Sequence, residues 1–261
     1  MKNLRLYGGK PYRVAVLHGG PGAPGEMAPV ARELASLVGV LEPLQTAGTI
    51  AGQLRELYTV LKGKGDLPVV LVGWSWGAWL GFIFTANHPS FVKKLVLVGS
   101  GPFEERCADG ILPTRLSRLS EAERIEVFSI VEAMDDPAMK EKDRLMARFG
   151  ALMDKADSYD MLPHDGELLA YQYDINQSIG READELRRGG KLLGLGKRIR
   201  CPVVAIHGDY DPHPAEGIRE PLSRVLKDFR FILLEHCGHH PWVERGARDR
   251  FYEVLKGEVV Q

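Results

Sequence analysis

Val69–Gly73 reads VVLVG, an unbroken apolar run that passes at once into Trp74-Ser75-Trp76-Gly77. Similar short runs recur at Tyr12–His18 (YRVAVLH), Val38–Leu41, Leu95–Gly99, Val203–His207 and Phe231–Leu234. Several are near-continuous valine, isoleucine and leucine with no polar alternation. That pattern suits strands covered on both faces, the usual state of parallel strands. Between the runs lie longer segments with helical spacing, around Met27–Leu37, Ile50–Leu61 and Ala78–Asn87, and a last one from Glu244 to about Leu255. A strand-then-helix rhythm of this kind predicts an α/β fold built on an open, mostly parallel sheet with helices on both faces.

The rhythm stops in the middle of the chain. From about Phe103 to Lys197 the sequence offers no strand, only charged helix-forming stretches such as Ser120–Met134 and Pro137–Lys155. Ser120 followed by Glu123 reads as a capping box that opens the first. The expected organisation is a core of residues 1–102 and 198–261 with a helical cap, or lid, inserted at 103–197.

Composition bounds the function. The formal net charge is −1 and no cluster of basic residues marks a nucleic-acid surface. The three cysteines, Cys107, Cys201 and Cys237, are scattered, as expected in a reducing compartment. No segment approaches the roughly 18 apolar residues of a membrane helix, and the N-terminus MKNLRLYGGK lacks a signal-peptide core. The expectation is a soluble cytoplasmic protein that meets small molecules; its oligomeric state is not readable.

Gly73-Trp74-Ser75-Trp76-Gly77 joins a buried-type strand directly to a helix. A turn that tight brings residues two positions either side of the serine into collision unless both are glycine. It would lift the Ser75 hydroxyl above the carboxyl end of the strand, where open α/β sheets bind ligands. A serine nucleophile further requires anion-stabilising amides, a base and an orienting acid.

Each has a candidate at another strand end. His18-Gly19-Gly20-Pro21-Gly22 is a glycine-rich loop whose backbone a substrate can approach closely. The N–H of Gly20 and that of Trp76, next to the serine, are the expected oxyanion donors, with His18 holding the loop. After VVAI, the segment His207-Gly208-Asp209-Tyr210-Asp211-Pro212 offers Asp211 as the acid, with Asp209 as its competitor. After FILL, the segment His236-Cys237-Gly238-His239-His240-Pro241-Trp242 offers His239 as the base, with His236 and His240 as alternatives. His207, Asp209, Asp211, His213, His236, His239 and His240 crowd two segments and also invite a metal reading, which leaves Ser75 and the Gly20 loop unexplained; no metal and no organic cofactor are expected.

HGGPG together with a Gly-x-Ser-Trp-Gly turn resembles the α/β-hydrolase superfamily, and most closely its prolyl iminopeptidase-like branch. The ending GHHPWVE is similar to that family's Gly-His-x-Pro-x-x-Glu pattern and GDYDPHP to its acid loop. The resemblance thus implies a triad of Ser75, Asp211 and His239. Prolyl iminopeptidases typically carry Asp-x-Arg-Gly-x-Gly where this chain reads LEPLQTAGTIAG, and here Trp74 precedes the serine. In that branch acidic lid residues hold the substrate's ammonium, which by position points to Glu167, Asp174 and Glu182.

The expected function is therefore that of a serine hydrolase acting on a small ester or amide through an acyl-enzyme, esterase-like in preference to aminopeptidase-like. Trp74 and Phe103 are the expected substrate-contacting aromatics, with Trp79 and Phe82 expected in the core. A non-catalytic small-molecule receptor, and a lyase or carbon–carbon hydrolase with the same triad, are the alternatives on this fold.

Overall fold

A computed structural model describes residues 3–163 and 169–260. Seven strands form one sheet: β1 (Leu4–Tyr7), β2 (Tyr12–Leu17), β3 (Gly39–Pro43), β4 (Val69–Trp74), β5 (Val92–Val98), β6 (Val203–Gly208) and β7 (Phe229–Leu234), in the spatial order β1-β3-β2-β4-β5-β6-β7. Only β1 runs antiparallel, on β3; every other pair is parallel.

The unbroken apolar runs divide by residue parity, because successive strand side chains point to opposite faces. Leu17, Leu71, Leu95, Leu97 and Ala205 pack on one face with α2 (Ile50–Lys64), α3 (Trp76–Asn87) and α9 (Glu216–Val225). Val16, Val70, Val72, Val96, Val98 and Ile206 pack on the other with α1 (Ala28–Leu34) and α10 (Arg248–Val260). Burial of each such leucine or valine contributes about 1.5–3 kcal/mol, so both faces demand a helical cover.

Between β5 and β6 the described residues contain no strand. They form α4 (Ile111–Ser117), α5 (Glu121–Asp135), α6 (Lys142–Asp157), α7 (Tyr173–Arg188) and the short α8 (Lys191–Gly194). The capping box at Ser120 and Glu123 is present. Leu119, Val127, Ile130, Met134, Leu152, Met153 and Ala156 make a separate small core within this insertion.

Two elements escaped the sequence reading. The edge strand β1 is four residues long and half-exposed. Helix α9 contains Pro221, which reads as a breaker. Proline removes the N–H that would bond the Gly217 carbonyl one turn back; that carbonyl instead accepts the N–H of Phe103 at 3.0 Å.

Candidate active site

Ser75 follows the last residue of β4 and precedes the first of α3, with φ 53° and ψ −117°. A non-glycine residue in that region costs about 1–3 kcal/mol and persists only where its surroundings dictate it. They do so here: a Cβ on Gly73 would lie 2.1 Å from the Gly77 carbonyl oxygen, and one on Gly77 would lie 2.3 Å from that of Leu17. The Ser75 N–H is tied to the Val98 carbonyl at 3.0 Å. Its side-chain oxygen makes no hydrogen bond among the described residues; in resting sites such contacts are commonly long and tighten on a bound substrate.

Asp211 lies just past the end of β6 and His239 in the loop after β7. His239 Nδ1 donates to Asp211 Oδ2 at 2.7 Å. A carboxylate only accepts, so the neutral ring keeps its lone pair on Nε2. The His239 backbone is held from both sides: its N–H donates to the Asp157 carbonyl at the end of α6, and its carbonyl accepts Trp74 Nε1–H, both at 2.9 Å. The bulky residue beside the serine is thus an anchor for the histidine loop, and it also forms part of the cavity wall.

Asp211 is engaged from several sides. Its Oδ1 accepts both the N–H (2.9 Å) and the ring Nδ1–H (2.7 Å) of His213, and His207 Nε2 stands 3.7 Å from Oδ2. Burial opposes ionisation, yet the three imidazoles hold its carboxyl well below the usual range. For His239, burial disfavours the charged form, but the charge and hydrogen bond of Asp211, with Asp157 behind, raise its pKa above the ordinary value. Asp211, His213 and His239 lie close enough to suit a metal ion, but the ring nitrogens facing the carboxylate are already protonated and offer no lone pair there.

Two cavity lobes meet at Ser75, Gly20 and Pro21. One is mainly apolar, walled by Trp76, Trp79, Pro102, Ile111 and Ala183, with His213 on its side and Arg187 and Asp184 at its rim. The other carries His239 and Trp74 with Glu26, Arg115, Asp154, Asp157 and Tyr171. Arg115 and Asp157 pair two-pronged at 2.7 and 2.6 Å. Gly20, at φ 99°, lines both lobes, as does Ser75; Trp76 lines the apolar one. His18 is pushed down to about 4 by burial, and its neutral ring spans the loop base: Nδ1 donates to the Gly19 carbonyl at 2.9 Å and Nε2 accepts the Gln45 N–H at 3.2 Å.

Other expected residues lie elsewhere. Phe103 is 1% exposed and packs on Phe82 and Trp79, away from both lobes, because the Gly217 contact draws it into the core. Trp79, expected in the core, also walls the apolar lobe, its Nε1 donating to the Gly101 carbonyl. Asp209 accepts the Cys237 N–H at 3.0 Å and so ties the loop after β6 to the loop after β7. His236 packs on Tyr159, and His240 on Trp74. Glu182 caps α2 through the Ile50 N–H, Asp174 is an exposed residue in the first turn of α7, and Glu167 lies outside the described residues. His213 lies within the GDYDPHP segment and among the clustered histidines and aspartates, whereas Glu26, Arg115, Asp154 and Tyr171 had no motif to mark them.

Residues 21–245 match the family described as the alpha/beta hydrolase fold. The chain belongs to that family. Over 195 residues this α/β-hydrolase is 28% identical to the pimeloyl-[acyl-carrier protein] methyl ester esterase of Chromobacterium violaceum, a match covering 70% of this chain and 68% of that one. Its fold is similar to the crystal structure of VinJ (TM-score 0.67, 19% identity, 98% and 94% of the two chains covered) and to a proline iminopeptidase of Mycobacterium smegmatis (TM-score 0.63, 16% identity, 99% and 94%). Likeness at that identity concerns the fold alone. Among the described residues no helix is long and apolar enough to cross a membrane.

The glutamate that ends the GHHPWVE segment ties the helical insertion to the loop that bears His239. Glu244 is fully buried and accepts the N–H groups of Gly238 (3.0 Å), Tyr159 (2.9 Å) and Asp160 (2.8 Å). Glu244→Gln replaces one acceptor with a donor that faces those amides. The expected loss is about 3 kcal/mol of unfolding free energy in a urea titration, since bonds to a charged acceptor are worth about 1.5–3 kcal/mol and an unmet buried donor costs as much again. A loss below 1 kcal/mol counts against the clamp.

Proposed function

We propose that the chain is a serine hydrolase of small carboxylic esters, working through an acyl-enzyme. The observation that carries this reading is the strained turn that presents Ser75 to a cavity it shares with the Asp211-bound imidazole of His239. Ser75 Oγ attacks the substrate carbonyl while His239 Nε2 takes its proton and Asp211 steadies the imidazolium. The amides of Gly20 and Trp76, which have no acceptor among the described residues, receive the developing oxyanion; each such donor is worth about 3–4 kcal/mol of barrier. His239 then gives its proton to the leaving alkoxide, and water repeats the sequence to release the acid. The similarity to methyl ester esterases supports an ester as the substrate.

One observation favours a second reading, an aminopeptidase-like hydrolase of aminoacyl esters or amides as in the prolyl iminopeptidase-like branch. In the polar lobe, Glu26 Oε2 is shielded from solvent and lacks a hydrogen-bond partner, and burial and the nearby Asp154 raise its pKa well above normal. A substrate ammonium seated there would give Glu26 Oε2 the hydrogen-bond partner it lacks and favour the ionised form of its carboxyl.

A fluorophosphonate probe tests the serine chemistry: one label per chain, lost in Ser75→Ala, is expected, and an unlabelled chain argues for a binding protein. A panel of p-nitrophenyl esters and amino-acid naphthylamides then separates the two substrate classes. Faster turnover of the naphthylamides overturns the ester preference, and Glu26→Gln should raise KM for them alone.

The pH dependence follows from His239. The reaction needs its free base, and its pKa lies above the 6.5 of an ordinary histidine. The plot of kcat/KM for an ester against pH should therefore rise through a midpoint above that value and level off on the alkaline side. A midpoint below it would place the base in a different environment.

A further inference from the structure

His213 repeats, on the other oxygen of Asp211, the arrangement that His239 makes on the first. Its ring Nδ1–H donates to Oδ1 at 2.7 Å, as the His239 ring does to Oδ2 at 2.7 Å. The two rings lie 4.6 Å apart, inclined at 33°. A turn after β6 needs only the backbone bond from the His213 N–H to Oδ1, at 2.9 Å, so the ring contact goes beyond turn closure. His213 is also held in place: its carbonyl accepts His207 Nε2–H at 2.8 Å. The ring borders the apolar lobe beside Ser75, and no described residue hydrogen-bonds its Nε2.

Resting on the serine-hydrolase reading, we propose that His213 is a positioning residue for the Asp211–His239 pair. By donating twice to Oδ1 it sets the rotation of the carboxylate and takes up part of its charge, so that His239 feels a weaker negative field than a singly engaged aspartate would impose.

Two features support this. His213 itself stays neutral near pH 7, pushed down to about 4 by burial against the pull of Asp211, so it acts as a fixed dipole and not as a competing cation. The other charged and titratable groups near the pair are His207 from β6, Arg115 from α4, Asp157 and Asp154 from α6, and, in the loop after β7, Cys237 and His240, whose ring stands 5.4 Å from that of His239. Arg115 and Asp157 neutralise each other in their paired contact. This leaves the His213 donors as a main local control on how much of the Asp211 charge reaches His239.

The test is the rate of fluorophosphonate labelling of Ser75 as a function of pH, which needs no knowledge of the natural substrate. His213→Leu removes the ring donor. Its labelling midpoint should move up by about 0.5–1 pH unit, and its rate at pH 6 should fall about 3- to 10-fold. His213→Asn, whose side-chain N–H can reach where Nδ1–H stood, should restore the midpoint. Should the leucine variant fail to fold by circular dichroism, His213→Phe keeps the ring volume without the donor and carries the same expectation. A donor-free variant that keeps the wild-type midpoint overturns the proposal, and so does an asparagine variant shifted as far as the leucine one. An unlabelled wild-type chain removes the hydrolase reading and this proposal together, whereas normal labelling with unshifted variants removes only the proposal.

Discussion

Ser75→Ala should lower ester hydrolysis by about 10⁴–10⁶-fold, the range in which loss of a triad nucleophile falls, without unfolding the protein. The two effects separate for a structural reason. The Ser75 backbone is held at φ 53° by the sheet, by its N–H bond to Val98 and by the close approach of Gly73 and Gly77. None of those contacts involves the hydroxyl, and that oxygen has no protein partner among the described residues to leave unsatisfied. Thermal melting of the alanine variant should therefore match the wild type. Retention of more than a hundredth of the activity would move the nucleophile away from Ser75.

Asp211→Asn should cost about 10⁴-fold, the loss seen when a triad acid becomes an amide. Asparagine offers one oxygen and one NH2 group where the carboxylate offered two acceptors. The two ring donors at 2.7 Å, from His239 and His213, cannot both be met. If the NH2 faces His239, the ring must turn Nδ1 into an acceptor and place its proton on Nε2, where it cannot accept one from Ser75. Loss of the charge also removes the main influence raising the His239 pKa, so the residual activity should show a midpoint shifted to lower pH. The checks are labelling rate and kcat/KM across pH. Activity within tenfold of wild type would pass the acid's role to another carboxylate, with Asp209 first in line.

The parts of the fold and site that were legible in the sequence share a property: their cause is local. The β2, β4, β5 and β6 runs are apolar on both faces because helices cover both, so the strands announce themselves without knowledge of their neighbours. Of the elbow glycines, Gly73 has a local cause, the Gly77 carbonyl oxygen four residues on, whereas Gly77 is demanded by the Leu17 carbonyl at the end of the neighbouring strand β2. The capping box at Ser120 and Glu123 is complete within four residues. Helix α9 shows the opposite case: its Pro221 is tolerated because the freed Gly217 carbonyl finds the Phe103 N–H, from a segment more than a hundred positions away in the chain. The same contact carries Phe103 into the core and off the cavity wall.

By itself, then, the sequence determined a doubly covered parallel sheet, a helical interruption before β6, and a set of strand-end loops bearing a serine, an aspartate and a histidine. The tertiary structure alone decided what those loops meet. It gave Asp211 a second imidazole, placed Trp74 under the His239 carbonyl, and brought Glu26, ahead of α1, and Asp154, in the helical insertion, into one cavity lobe. The physical reason is range. Strand, turn and cap preferences arise from steric and hydrogen-bond demands within a few residues, whereas charge and burial act through space between groups that chain order keeps far apart.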